Sequence, residues 1–74
     1  MAIVRRLDKQ ALERESSHTE VECTYSVVRS EGKVFLQVDT YGSSSRQERG
    51  KKSQSIRFAP EAIDQLKRIL STEI

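Results

Sequence analysis

Residues 33–58 read KVFLQVDTYGSSSRQERGKKSQSIRF, and this stretch decides how the rest of the chain is read. From Val34 to Tyr41 the side chains alternate: Val34, Leu36 and Val38 fall on one side, Phe35, Gln37, Asp39 and Tyr41 on the other. That is the period of a half-buried strand, with one face for a core and one free to meet a partner. Between Gly42 and Ser53 there is no apolar residue, and Arg46, Arg49, Lys51 and Lys52 stand against the single Glu48. Ile56 and Phe58 then alternate with Ser55 and Arg57, so the chain re-enters a sheet. Strand, basic loop, strand is the outline of a binding surface rather than a catalytic one.

Upstream, the odd positions Val21, Cys23, Tyr25 and Val27 make an apolar face while Glu22, Thr24 and Ser26 point away, which predicts a strand over 21–29. Ser30-Glu31-Gly32 is a tight connection, with Gly32 supplying positive φ, so the strands before and after it should pair as an antiparallel hairpin. Cys23, in phase with Val21 and Tyr25, reads as a small buried hydrophobe. Downstream, Pro60 suits the first turn of a helix, Glu61 and Asp64 lie near its positive end, and Ile63, Leu66, Ile69 and Leu70 form an apolar stripe. Near the N-terminus, Ile3 to Leu7 predicts a short edge strand, and residues 8–15 predict either a helical turn or an ordered loop. The expected fold is α+β: one domain over 1–74, with a small antiparallel sheet of about four strands over 3–58 and a C-terminal helix over 60–71.

Seventy-four residues with 35% hydrophobic and 32% charged side chains supply little core material, and a chain this size buries only about 60% of its unfolded surface. A homodimer is therefore expected, with the stripe of Ile63, Leu66, Ile69 and Leu70 as its interface. The net charge of +2 is modest but segregated: residues 15–24 carry three acids and no Lys or Arg, residues 46–57 five bases and one acid. With a single cysteine, no disulfide forms within the chain. No stretch approaches the ~20 apolar residues of a membrane span, and the first residues lack the apolar run of a signal peptide. A cytoplasmic protein with no membrane association is expected.

Catalysis finds few candidate groups. His18 is the only histidine and Cys23 the only thiol, so neither a His/Cys metal set nor a serine triad with a second histidine can be assembled; no metal and no cofactor are expected, and the chain does not read as an enzyme. Gly50-Lys51-Lys52-Ser53 departs from the phosphate-loop pattern at Ser45 and at Lys52. Glu20 and Glu22 read as solvated strand residues. Binding chemistry is better supplied. Lys33, Arg46, Arg49, Lys51, Lys52 and Arg57 are candidates to neutralise phosphates, and Phe35 and Tyr41 are candidates to stack on unpaired bases.

The order Gly32-Lys33-Val34, Asp39, Tyr41, Gly50-Lys51-Lys52, Ile56, Pro60-Glu61 and Leu66-Lys67 resembles the positive cofactor four family of single-stranded-DNA-binding transcriptional coactivators. The resemblance runs from about Tyr25 to Leu70. It implies a ββββα unit that dimerises and holds single-stranded nucleic acid, DNA before RNA, across its sheets and basic loops, with Lys33, Tyr41, Lys51 and Lys52 at matching positions. The family usually carries a base where Asp39 stands and an aromatic where Gly42 stands. Asp39, on the face of Tyr41, is expected to repel phosphate. The stretches VECTYSV, LQVDTYGS and GKKSQSI are also similar to a group of small bacterial proteins. The competing expectation is a small interaction module whose sheet edge or acidic strand meets a protein partner in transcription or repair.

Overall fold

The computed structural model describes residues 1–14, 16–42 and 52–74. Four strands and one helix come in order: β1 (Ala2–Val4), β2 (Cys23–Ser30), β3 (Lys33–Tyr41), β4 (Lys52–Phe58) and α1 (Pro60–Thr72). The sheet order is β1-β4-β3-β2, so β3 and β4 are the inner strands.

The hairpin forms where the sequence places it. Glu31 and Gly32 are the two turn residues, both at positive φ (52° and 74°), flanked by the Ser30–Lys33 pair. Two left-handed residues in succession give the turn whose twist matches that of the strands it joins, and glycine adopts that conformation without cost. β3 and β4 are also antiparallel, with a register shift between Thr40 and Tyr41 where the chain leaves the sheet.

The first strand departs from expectation twice. It is shorter, ending at Val4, and it lies parallel to β4, with Ala2 opposite Ile56 and Val4 opposite Phe58. The sheet is therefore mixed, not wholly antiparallel. The reason lies in the path of the chain after Val4. The Ala59 N–H donates to the Val4 carbonyl (2.9 Å), and the chain continues alongside α1 instead of along β4. The Leu7 N–H donates to the Gln65 side-chain oxygen (2.9 Å), and the Gln65 amide returns a bond to the Leu7 carbonyl (3.0 Å). Arg5 reaches Glu61 (3.8 Å), and Lys9 reaches Glu73 (2.9 Å), which raises the Lys9 pKa. Residues 5–9 thus run as a strap along the helix. Among the described residues of 8–15 there is no helix.

α1 begins at Pro60 after the extended Ala59, which has no side chain able to cap; the missing proline N–H removes one of the groups a cap would satisfy. The helix folds back onto β3 and β4. Ala59 and Ala62 are fully buried where it leaves the sheet, yet among the described residues no larger side chain is. Ile63, Leu66 and Ile69 are only half-buried. The core is thin for a simple reason: four strands and one helix leave much of the sheet without a second layer.

That shortage corrects the reading of β2. Val21, Tyr25 and Val27, expected in a core, are 45%, 75% and 51% exposed, and Cys23 is exposed as well. β2 is an outer strand, and nothing in the described chain covers its apolar side.

Candidate nucleic-acid interface

Pairing registers fix which side chains share a face. Gln37 stands opposite Arg57 and Ser26; Asp39 stands opposite Ser55 and Thr24; Phe35 stands opposite Val28. The side chains on this face of β3, from Phe35 to Tyr41, form a row about 20 Å long at strand spacing.

The row is joined by hydrogen bonds. The Gln37 side-chain N–H donates to both oxygens of Asp39 (3.1 and 3.2 Å), and the Ser55 hydroxyl donates to Asp39 Oδ1. Arg57 donates from Nε (3.1 Å) and Nη2 (2.6 Å) to the Gln37 carbonyl oxygen, and its guanidinium lies 6.0 Å from the centroid of the Phe35 ring. Lys52 Nζ approaches Asp39 Oδ2 at 3.4 Å. The Tyr41 hydroxyl shares a hydrogen bond with the Thr24 hydroxyl (3.1 Å).

Burial has an unusual pattern here. Gln37 and Asp39 are 6% and 3% exposed, although they are the most polar residues of β3 apart from Lys33. Burying an ionised carboxylate is costly unless charge and hydrogen bonds compensate it. Here three side chains donate to it or face it. The Ser55 hydroxyl is the largest cause holding the Asp39 pKa below the usual carboxylate range; Gln37 and Lys52 act in the same direction, and desolvation opposes them.

This geometry changes the part expected of Asp39. It is not an open charge on a binding face but a buried acceptor already countered by Lys52. Of the candidate phosphate and base contacts, the fold gathers Phe35, Tyr41, Lys52 and Arg57 around the row. Lys52 remains half-exposed, and Phe35, Tyr41 and Arg57 keep part of their surface open. Lys33 does not join them. It is exposed beside the hairpin turn at the opposite end of β3 from Tyr41. Arg46, Arg49 and Lys51 lie outside the described residues.

Two features of the site were missed from sequence. Gln37 and Ser55 carry no charge and sit in no motif, yet they join the row; only the register of β3 against β4 brings them together. The dimer expectation also needs a different weighting. Of Ile63, Leu66, Ile69 and Leu70, only Leu70 is exposed, at 56%, whereas Tyr25, Val27, Val34 and Ile56 on the sheet are exposed at 75%, 51%, 40% and 39%. By strand alternation and register, Tyr25, Val27, Val34 and Ile56 belong to the face opposite the polar row.

Among the described residues, no group of three or more His, Cys, Asp or Glu side chains could hold a metal ion, and no helix is long and apolar enough to cross a membrane. In comparisons with protein-family models, curated proteins and solved structures, the chain matches none.

Proposed function

We propose that the chain is a homodimeric module that holds single-stranded nucleic acid, DNA in preference to RNA, with little sequence preference, in the manner of a transcriptional coactivator in the cytoplasm of a bacterial cell. The observation that carries this reading is the Arg57 guanidinium held over the Phe35 ring, on the sheet face that also presents Tyr41 and receives Lys52. Cations beside aromatic rings suit a strand whose phosphates and base faces are both accessible. Lys33, Arg46, Arg49 and Lys51 extend the set of phosphate contacts. The described helix, α1, folds back onto β3 and β4, so the sheet face rather than a helix is offered to the strand, which favours binding that tolerates sequence.

Self-association is supported by surface. The chain exposes 6735 Å², against about 4,700 Å² for a compact monomer of its mass. Its radius of gyration is 14.5 Å, against about 11 Å for a compact chain of this length. A standard interface covers about 800 Å² on each partner, and the exposed Tyr25, Val27, Val34 and Ile56 offer an apolar side on which a second copy can sit.

Fluorescence anisotropy with a labelled single strand at several salt concentrations tests the reading. Each neutralised phosphate contributes about −0.7 to the slope of log affinity against log salt, so four cations per chain give a slope of several units. Replacing Arg46, Arg49, Lys51 and Lys52 by alanine should flatten it while the circular dichroism spectrum stays unchanged; an unaltered affinity in that variant sinks the proposal. The exposed Tyr25, Val27, Val34 and Ile56 favour one alternative, a protein-interaction module without nucleic-acid binding.

A further inference from the structure

We propose that Asp39 is a positioning residue for Arg57, acting through Gln37; the inference rests on the nucleic-acid reading for its functional meaning. A glutamine amide has a donor end and an acceptor end, and which way it points depends on its neighbours. Asp39, ionised and accepting only, takes the Gln37 N–H₂ on both of its oxygens. The Gln37 carbonyl is thereby turned away from Asp39 and toward β4, where it receives two donors of Arg57.

The relay has a directional outcome. With Nε and Nη2 occupied by Gln37, the guanidinium is fixed as a plane near the Phe35 ring, and Nη1 has no hydrogen-bond partner among the described residues. A phosphate oxygen arriving at that edge meets donors whose orientation is set beforehand, so less side-chain freedom is lost on binding. The Ser55 hydroxyl and Lys52 hold the carboxylate itself in place. A neutral asparagine at position 39 has both a donor and an acceptor. It can satisfy Gln37 in either orientation, so only the donors of Arg57 still select the carbonyl, and the hold on the guanidinium is weakened.

Removing the Asp39 charge also raises the overall attraction for phosphate, so affinity alone does not report the relay. The informative quantity is what Arg57 contributes with and without Asp39, measured as a double-mutant cycle on a fluorescein-labelled oligothymidine. Arg57→Ala should weaken binding about tenfold in the unmodified protein and less than about twofold in the Asp39→Asn background. An equal loss in both backgrounds overturns the proposal. If Asp39→Asn does not fold, Gln37→Met cuts the same relay with the carboxylate intact, and the same loss of coupling is expected.

A second readout needs no nucleic acid. The Arg57 Nε–H should give a sharp, slowly exchanging signal in ¹⁵N NMR spectra that broadens or disappears in Asp39→Asn. A signal unchanged in that variant refutes the relay whatever the binding result. An oligothymidine that fails to bind the unmodified protein, together with a signal lost in Asp39→Asn, refutes the nucleic-acid reading and leaves the relay standing.

Discussion

The two faces of this sheet are finished to different degrees. On one face the polar side chains of Gln37, Asp39, Ser55 and Arg57 satisfy one another, and Gln37 and Asp39 are nearly closed off from water. On the other, Tyr25, Val27, Val34 and Ile56 remain exposed. A hydrogen-bonded row can be completed within one chain, because donor and acceptor stand one strand apart. An apolar face can be completed only by a second layer of matter, and the described residues leave this one partly uncovered. The polar face carries its order in itself; the apolar face is left partly open by the described residues.

Breaking the apolar side should have the largest effect. The protein is expected to scatter light as two chains, and Tyr25→Asp with Val27→Asp should reduce the mass to one chain, since each buried side chain of this kind contributes about 1.5–3 kcal/mol and an unpaired interfacial charge adds a penalty. A single-chain mass for the unmodified protein across a micromolar dilution series would remove the dimer. Leu70→Asp compares the helix stripe with the sheet: a smaller shift toward single chains is expected from it than from the sheet pair.

On the polar side, Tyr41 gives the next largest effect. Stacking on a base is worth about 1–3 kcal/mol, so Tyr41→Ala should weaken binding to single strands by roughly five- to a hundredfold. Tyr41→Phe keeps the ring and loses only the hydrogen bond with Thr24. It should bind nearly as the unmodified protein does. Equal losses in both variants would assign the hydroxyl, not the ring, to the site.

Gly32→Ala should cost about 1 kcal/mol, measured by urea unfolding. There is open space where the added methyl would sit, and φ is +74°, so the loss comes from backbone strain alone. It should lower stability without changing which face binds.

The smallest expected effect is a pH dependence confined to the polar face. The Asp39 pKa is depressed in the folded protein, so the folded state favours its ionised form. The stabilisation is present above the unfolded carboxylate value near 3.9 and is lost as pH falls through the lower folded value. Thermal melts of the unmodified protein and of Asp39→Asn should converge as pH drops below about 4. Curves that stay parallel over that range would show that the carboxylate adds no net stability.

What the sequence revealed, and what it hid, divides along the same line. The hairpin turn, β3, β4 and α1 are local events: a two-residue turn with Gly32, strict alternation from Val34 to Tyr41, and Pro60 ahead of an amphipathic run. These need only neighbours in the chain. The burial of Asp39 and the exposure of Tyr25 are not local. The first depends on the register that sets Ser55 and Arg57 beside β3, and the second on which strand ends up at the sheet's edge. Alternation predicts that a side chain has a face, but not whether anything will lie on it. The same limit applies to the site. Phe35, Tyr41, Lys52 and Arg57 could be named as candidates from residue type, whereas Gln37 and Ser55 joined the row only through pairing.

The strap along α1 also bears on the order in which the molecule assembles. β2 and β3 are joined by a two-residue turn, so their pairing closes almost no loop. β1 meets β4 across about fifty residues of chain, and its strap is held to α1 at Arg5, Leu7 and Lys9. Closing so long a loop carries an entropic penalty that three parallel pairs recover only once β4 and α1 are already in place. The hairpin should therefore gain protection from hydrogen exchange early in refolding, and the Ala59 N–H, whose acceptor is Val4, should gain it late. The N-terminal strand should act as a latch that closes on an assembled sheet and helix, and in native-state hydrogen exchange the Ala59 N–H should lose its protection before the hairpin does.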